Sequence, residues 1–477
     1  MFSFILCLGL LVAGYFVYGR IVEKLFGVEE NRQTPAYAKQ DGVDYVPLSG
    51  KRIFLIQLLN IAGLGPIYGA VMGALFGTAS FIWIVFGCIF AGAVHDFFSG
   101  MMSIRHEGKS ISEISGTYLG SKMRIVMRGF SVVLLILVGT VFMAGPAGLL
   151  SNMGMTGIFA NKWFWLGLIL AYYFVATILP IDKIIAKLYP IFGVVLLVMA
   201  VGVASMLFIK GYKIPEVSFT NAHPKGLGFF PFLFITIACG AISGFHATQS
   251  PIMARCLPDE RMGRPVFFGA MIAEGIIALI WAAASVTFFG GMEGLAGIVG
   301  QGGAGLVVKE ISVGLLGTVG GILAMLGVVA CPISSGDTAF RSARLTIADS
   351  LGLDQAKIRN RLLIAIPLFA VGFSLNFVNF SIIWRYFAWS NQTLATIVLW
   401  TAAVYMVRNG KNHWICSLPA AFMSAVVTAY ILQAPEGFRL SAGISIPVGI
   451  SVAIALFTAF FLFARKAPAS EKTVKAA

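Results

Sequence analysis

The chain has 477 residues, of which 58% are hydrophobic and 11% charged, and its formal net charge at pH 7 is +14. Apolar runs of about twenty residues, the length of a membrane-spanning helix, recur throughout the chain. This composition excludes a soluble globular protein, and no hydrophilic stretch is long enough to form an attached soluble domain. We therefore expect a single all-α, polytopic membrane domain over residues 1–477.

Hydropathy predicts about thirteen spans, centred near residues 10, 64, 90, 137, 171, 200, 241, 277, 322, 369, 395, 423 and 454. The first stretch lacks a basic flank and a small-residue cleavage site, so we expect a retained span rather than a cleaved leader. All but seven of the 34 Lys and Arg residues lie in loops that follow odd-numbered spans. The positive-inside rule then predicts an N-terminus outside and a C-terminus in the cytoplasm.

The second predicted span is interrupted in its middle by Gly63-Leu64-Gly65-Pro66. Glycine weakens a helix and proline removes a hydrogen-bond donor, so backbone carbonyls just before this point are freed. The half-helix that follows should present unpaired N–H groups to a substrate carboxylate. The predicted substrate contacts in this break are Asn60, Gly63, Gly65, Pro66, Tyr68 and Gly69.

The seventh predicted span has a second interruption, between Cys239 and Pro251. It adds polar side chains that can hydrogen-bond a ligand, and the predicted substrate contacts here are Ser243, His246 and Gln249. Glycine and proline also occur at kinks and packing points of membrane helices, which is the structural alternative. Two interruptions in one polytopic chain favour a secondary transporter, since unwound backbone at bilayer depth persists where it lines a site.

Five spans separate the two interrupted helices, and an odd offset reverses the direction in which a helix crosses the membrane. This predicts two five-helix repeats of opposite topology, spans 2–6 over residues 53–211 and spans 7–11 over residues 229–407. Span 1, over residues 1–19, and the last two spans, over residues 412–465, should then be peripheral.

Ionisable side chains inside spans are energetically expensive and usually face an interior cavity. Four of them are candidates for proton coupling, because histidines and desolvated carboxylates can change protonation as a site alternates: His95, Asp96, His246 and Glu274. For the adjacent His95 and Asp96, a satisfied polar contact near the inner interface is the alternative. Arg385, between aromatic neighbours, is expected to extend toward the outer interface.

The ninth span contains the polar segment from Cys331 to Arg341. The hydroxyl groups of Ser334 and Ser335 can reach the first break, where hydroxyl and carbonyl oxygens would suit a hard cation. They can equally bond back to a carbonyl one turn earlier in their own helix. Asp337 and Arg341 are four residues apart and can form an ion pair on one helix face.

Several motifs together resemble the carbon starvation protein A (CstA) family: residues 41–47, the Ala62–Gly69 break, Ala91–Phe97, Cys331–Arg341 and Phe387–Gln392. The resemblance covers about residues 20 to 410. It implies an inner-membrane carrier of the amino acid-polyamine-organocation superfamily with the leucine-transporter fold, induced when carbon is scarce. In that fold a sodium site often lies at the first break, and matching it here implies the ligands Leu59, Ala62, Cys331, Ser334 and Ser335.

We therefore expect a secondary active transporter that imports peptides or pyruvate-like small carboxylates by ion-coupled alternating access. A passive channel or facilitator is the alternative. No HExxH, GxSxG or Asp-rich metal motif occurs in a span, so an enzyme is not expected. The six cysteines lack metal-ligand spacing. We expect no cofactor beyond a candidate sodium ion, no nucleic-acid partner, and only substrate and membrane lipid as partners. Peptide or pyruvate, proton or sodium, and the oligomeric state stay open.

Overall fold

The computed structural model describes residues 1–42, 44–153, 156–178, 181–355 and 357–464, and within these ranges the regular elements are all helical. The main helices, in chain order, are α1 (Phe2–Phe26), α2 (Gly50–Ala62), α3 (Gly65–Ala74), α4 (Ala79–Arg105), α5 (Ile111–Leu119), α6 (Ser121–Ser151), α7 (Lys162–Ile178), α8 (Ile181–Ile209), α9 (229–236), α10 (Gly244–Ala254), α11 (Glu260–Phe288), α12 (Met292–Leu351), α13 (Ile358–Phe377), α14 (Phe380–Arg408), α15 (Trp414–Gln433) and α16 (Ala442–Phe463). The segment α12 is interrupted by non-helical backbone at Gly302, Gly303 and Gly317, and its apolar span is Gly320–Leu351.

Nine helical segments in the described part of the chain are long and apolar enough to cross a membrane, or ten if the bent pair α2–α3 forms one span. Every span centre predicted from hydropathy falls on a helix or on a break between two helices. The three other predicted spans are α7, which has 17 residues, the broken segment α9–α10, and α14. The centre of α14 is made less apolar by Ser390, Asn391 and Gln392.

Burial separates central helices from peripheral ones. The most apolar stretch of α4, and likewise that of α11, is 83% buried, whereas the corresponding stretch is 28% buried in α1 and 17% buried in α16. The helices α4 and α11 therefore pack at the centre of the bundle, while α1 and α16 present most of their apolar surface outward. The boundaries of the two five-helix repeats remain a prediction.

The first predicted break is present. Helix α2 ends at Ala62, and Gly63 has φ +44° and ψ −136°, a conformation that side-chain-bearing residues rarely adopt. The chain resumes helical geometry at Gly65, and the axes of α2 and α3 differ by 52°. The prediction that this helix is discontinuous is confirmed.

The second break is also present but shorter than predicted. Helical geometry is lost at Ile237, with φ −94° and ψ 77°, and α10 begins at Gly244. The sequence predicted His246 and Gln249 on unwound backbone. The structure places both on a regular helix. Pro251 lies inside α10, where its missing N–H removes one helical hydrogen bond without ending the helix.

Candidate functional site

The two breaks pack directly against each other at the centre of the protein. A Cβ atom placed on Gly65 would lie 2.1 Å from the Cβ of Cys239, and one on Gly240 would lie 3.8 Å from the Cα of Pro66. Because real Cβ atoms do not approach that closely, the contact between the breaks depends on the missing side chain of Gly65. The carboxylate seat predicted at residues 65–69 is filled by the second break in this structure.

The backbone at the start of α3 is also less available than the sequence suggested. The amides of Ile67 and Tyr68 donate to the carbonyl of Leu64 at 3.2 and 2.8 Å. The chain bends at Gly63, and the Leu64 carbonyl closes the turn that follows. The N–H groups of Ile67 and Tyr68, which were expected to face a substrate, are therefore hydrogen-bonded within the backbone. Tyr68 is buried, with its ring centroid 5.9 Å from that of Trp384.

Side chains from neighbouring helices satisfy the unwound backbone of the second break. The Gln392 amide on α14 donates to the carbonyls of Phe234 and Ile237, the second at 3.4 Å. The indole N–H of Trp83 on α4 donates to the Ile237 carbonyl at 3.2 Å. An unpaired carbonyl at bilayer depth would cost several kcal/mol, so these bonds stabilise the break.

Asn391 caps the second half-helix. Its Oδ1 accepts hydrogen bonds from the Ser243 hydroxyl and from the Phe245 amide, both at 2.9 Å. The positive end of α10 is therefore bonded to a neutral amide of α14. The sequence interpretation used Asn391 and Gln392 only for the family resemblance. Two amide side chains in the middle of an apolar span were the signal that could have identified their structural role.

The four ionisable residues predicted for proton coupling form one buried cluster. His95 Nδ1 lies 2.8 Å from Asp96 Oδ1, and Asp96 Oδ2 lies 2.8 Å from His246 Nδ1. His246 Nε2 lies 3.4 Å from Glu274 Oε2. All four side chains are fully buried. The cluster joins α4, α10 and α11, so it connects the second half-helix to two central helices.

The alternative, a satisfied polar contact between His95 and Asp96, is present at 2.8 Å, but it is only part of a larger cluster. Asp96 reaches across to His246, and it lies nine residues, or about 13 Å of helix, before Arg105 at the end of α4. Sequence adjacency showed the pair but not its partner on another helix.

Cys239 lies beside the cluster. Its sulfur, a ring nitrogen of His246 and a carboxylate oxygen of Glu274 all lie within 4.8 Å of one another, which spacing in the sequence did not reveal. Three protein donors are one fewer than a closed structural zinc site uses. The thiol is moreover directed at the Ser243 hydroxyl, 3.6 Å away. His246 Nε2 and both carboxylate oxygens of Glu274 are buried and have no hydrogen-bond partner among the described residues.

A second polar region lies between α2, α10 and α12. Gln57 Nε2 donates to the Ser250 hydroxyl at 3.2 Å, and Gln249 Nε2 lies 3.4 Å from the Ser342 hydroxyl. Three side-chain oxygens here are buried and have no donor among the described residues: Gln57 Oε1, Asn60 Oδ1 and Gln249 Oε1. Buried acceptors are normally paired, so these oxygens are available to donor groups of a bound molecule.

Four of the five residues predicted for a sodium site lie together. The Ser335 hydroxyl lies 3.0 Å from the carbonyls of both Leu59 and Cys331, and the Ser334 hydroxyl donates to the Cys331 carbonyl at 2.7 Å. Ser335 thus makes both of the contacts that the sequence left open, one to the first break and one within its own helix. Ala62, the fifth residue, is buried at the end of α2. Hydroxyl and carbonyl oxygens are suitable ligands for sodium.

Two further pairs complete the assignments made from sequence. Asp337 and Arg341 form the expected ion pair, with 3.3 Å between Oδ2 and Nη2. Arg385, expected to extend toward the outer interface, pairs with Glu436 of the loop after α15 at 2.9 Å, and its side chain is 40% exposed. The partner of Arg385 lies beyond the next helix, which is why the local pattern of aromatic neighbours did not reveal it.

Comparison with known families places this architecture. The family model described as Carbon starvation protein CstA matches residues 1–161 and 147–301. The chain belongs to the CstA family. A membrane protein of Haemophilus influenzae is 42% identical in an alignment of 352 positions, which covers 63% of this chain and 95% of that protein.

Other CstA-family relatives are named as peptide transporters. Peptide transporter CstA of Bacillus subtilis is 32% identical over 339 residues, covering 58% of this chain and 56% of that protein. The Campylobacter jejuni protein of the same name is 29% identical over 331 residues, covering 56% of this chain and 47% of that protein. The chain thus spans about half the length of these two peptide transporters.

Two solved structures share the fold of this CstA-family protein. MhsT in complex with L-phenylalanine superposes with a TM-score of 0.55 at 16% identity, covering 85% of this chain and 99% of that one. Mhp1, a nucleobase-cation-symport-1 family transporter in a closed conformation, gives a TM-score of 0.56 at 15% identity, covering 92% and 96%. The leucine-transporter-type fold expected from the sequence is thereby confirmed.

The capping role of Asn391 can be tested by substitution. Asn391→Leu keeps a similar side-chain volume but leaves the Phe245 amide and the Ser243 hydroxyl without their acceptor. We expect a loss of about 1–3 kcal/mol in the free energy of unfolding. Asn379→Leu is the matched control, because Asn379 caps the exposed start of α14 and should cost about 1 kcal/mol. Equal losses in the two variants, measured by denaturant unfolding in detergent, would contradict the assignment.

Proposed function

We propose that this CstA-family protein is a secondary active transporter that imports peptides across the cytoplasmic membrane by ion-coupled alternating access. The observation that carries the proposal is the direct contact of two broken helices, with a buried ionisable cluster attached to one of them. Separation of the breaks would expose the backbone of both and change the surroundings of the cluster at the same time. The proposed orientation, N-terminus outside and C-terminus cytoplasmic, follows the Lys and Arg distribution.

The unpaired acceptors between α2, α10 and α12 support a substrate that carries hydrogen-bond donors. A peptide offers an ammonium group and amide N–H groups to Gln57, Asn60 and Gln249, whereas pyruvate offers only acceptors. The peptide-transporter names of the relatives point to the same substrate class. The substrate carboxylate would bind at the start of α3 once the second break has moved away from Gly65. We therefore place peptides ahead of pyruvate.

Proton coupling is proposed for the His95-Asp96-His246-Glu274 cluster. An ionised Asp96 accepts the Nδ1 hydrogens of both imidazoles, which leaves His246 Nε2 as an acceptor facing Glu274. One proton then fits between His246 Nε2 and Glu274 Oε2, whichever of the two atoms holds it. Because His246 lies on α10, movement of this half-helix would break that contact and let the proton leave. While the contact is intact, this proton prevents the cluster from carrying two negative charges, on Asp96 and on Glu274, in the interior.

Transport into proteoliposomes tests the proposal. We expect an inward proton gradient to drive accumulation of a labelled dipeptide, with little accumulation of labelled pyruvate. A sodium gradient applied at constant pH should drive little uptake, and Ser335→Ala should then have a small effect. Dipeptide uptake that ignores both gradients would identify a facilitator and overturn the coupling, and sodium-driven uptake lost in Ser335→Ala would assign coupling to the sodium site.

A further inference from the structure

A groove on the outer face of the bundle lies away from the two breaks. It has a volume of about 640 Å³. Its floor is the second half of α14, from Thr393 to Arg408, and its walls come from α15, α16, the end of α5 and the start of α6. None of its lining residues belongs to the site described above, so it has no part in the proposed transport chemistry.

The dimensions of the groove match one leaflet of a bilayer. The helix rises by about 22 Å over the fifteen steps from Thr393 to Arg408. Half of a bilayer, from its midplane through the headgroup region, measures about 20–22 Å. The lining of the groove is largely apolar and includes Ile397, Val404 and Phe460. A chain of methylene groups could therefore lie along α14 for most of the depth of a leaflet.

The groove borders surface that faces lipid. Two of its own lining side chains, both on α16, are exposed: Leu456 at 42% and Phe463 at 65%. In a membrane-spanning bundle, exposed apolar side chains of this kind contact acyl chains. The groove is therefore reachable from the bilayer without any movement of the breaks.

One end of the groove carries a fixed positive charge. Arg408 donates from Nη1 to the Thr117 carbonyl at 3.1 Å and from Nη2 to the Tyr118 carbonyl at 2.9 Å. The same guanidinium lies over the Tyr118 ring, 5.4 Å from its centroid. These contacts hold the group in place. Each Nη group uses one of its two hydrogens in these bonds, and the Arg408 side chain is half-buried, so the guanidinium can still donate to an anionic oxygen.

We infer that this groove binds one membrane phospholipid with an anionic headgroup. One acyl chain lies along α14, and a phosphate oxygen accepts a hydrogen bond from the Arg408 guanidinium. The positive-inside rule places the Arg408 end of α14 on the cytoplasmic side, where basic pockets between spans commonly bind anionic lipids. A second copy of the chain is a poorer match, because a narrow apolar groove with one cation at its end fits a single chain with one anion.

Fluorescence quenching can test this inference, because Trp400 lines the groove. The full chain is reconstituted in vesicles of phosphatidylcholine and phosphatidylglycerol, in which either the one lipid or the other carries brominated acyl chains. We expect brominated phosphatidylglycerol to quench more strongly than brominated phosphatidylcholine at equal content. The chain has 8 tryptophans, so the contribution of Trp400 must be isolated. Trp400→Phe should remove the difference between the two lipids.

Two variants separate binding from folding. Arg408→Gln should weaken the phosphatidylglycerol preference about fivefold, and Ala459→Phe should fill the groove and abolish it while Arg408 stays in place. Arg439→Gln is the matched control, since Arg439 also bonds a backbone carbonyl but lies in an exposed loop. Three results would overturn the inference. They are equal quenching by both lipids, quenching unchanged in Ala459→Phe, and a concentration-dependent dimer that excludes the lipid. None of these results depends on transport.

Discussion

Glu274→Gln is expected to abolish proton-driven accumulation while leaving exchange of internal for external substrate nearly intact. Glutamine has the same shape as glutamate but cannot release a proton, so the link between proton and substrate is lost while the packing remains. A coupling free energy of this kind is worth about 5- to 150-fold, and we expect a loss near the upper end, about 100-fold. The measurement is dipeptide uptake into proteoliposomes, driven by a proton gradient and, separately, by counterflow.

His246→Ala provides a second measurement on the same cluster. It removes both the contact to Asp96 and the contact to Glu274, so we expect it to abolish driven uptake and counterflow together. The matched control for Glu274→Gln is Glu310→Gln, because Glu310 is exposed on α12, away from the cluster. Wild-type proton-driven uptake by Glu274→Gln or by His246→Ala would show that the cluster is structural and has no part in coupling.

Gly65→Ala is expected to destabilise the protein and to abolish transport of any substrate, whichever ion drives it. The new Cβ atom would lie 2.1 Å from the Cβ of Cys239 and 2.3 Å from its sulfur, so the two breaks must move apart. Overpacking a tight contact costs about 1–3 kcal/mol, and we expect the upper end because the Cβ of Cys239 can move only together with its backbone. Thermal unfolding and counterflow on the same preparation measure the two effects.

Gly129→Ala is the control for this prediction. Gly129 lies within α6, and a Cβ atom added there would have nothing within 4 Å. Alanine in a helix interior is favoured over glycine by about 1 kcal/mol, so stability should hold or rise. If Gly65→Ala unfolds at the wild-type temperature and transports normally, the close contact of the breaks is not required for function.

The positions of both broken helices could be predicted because their causes are local. Glycine and proline change helix stability at the residue where they occur, and Gly63 indeed adopts a conformation that favours glycine. The second break was harder to delimit. Pro251 read as part of the interruption, yet it lies within α10, because the surrounding residues keep their helical hydrogen bonds.

The identities of the coupling candidates were also predictable, because ionisable residues within apolar runs are rare and conspicuous. Their arrangement was not. Asp96 and His246 are separated by 150 positions in the chain, and only the packing of α10 on α4 brings them to 2.8 Å. Asn391 shows the same limit, since its cap on the Phe245 amide spans 146 positions.

The amino-acid sequence by itself determined that this protein is a helical membrane bundle. It also determined where the two broken helices are interrupted and which buried groups can carry charge. These properties follow from hydropathy and from the intrinsic conformational preferences of single residues. Only the tertiary structure decided that the breaks touch through Gly65, that four ionisable groups form one cluster, and that Asn391 and Gln392 satisfy the unwound backbone. Contacts between distant helices depend on how the whole chain packs, which no local pattern specifies.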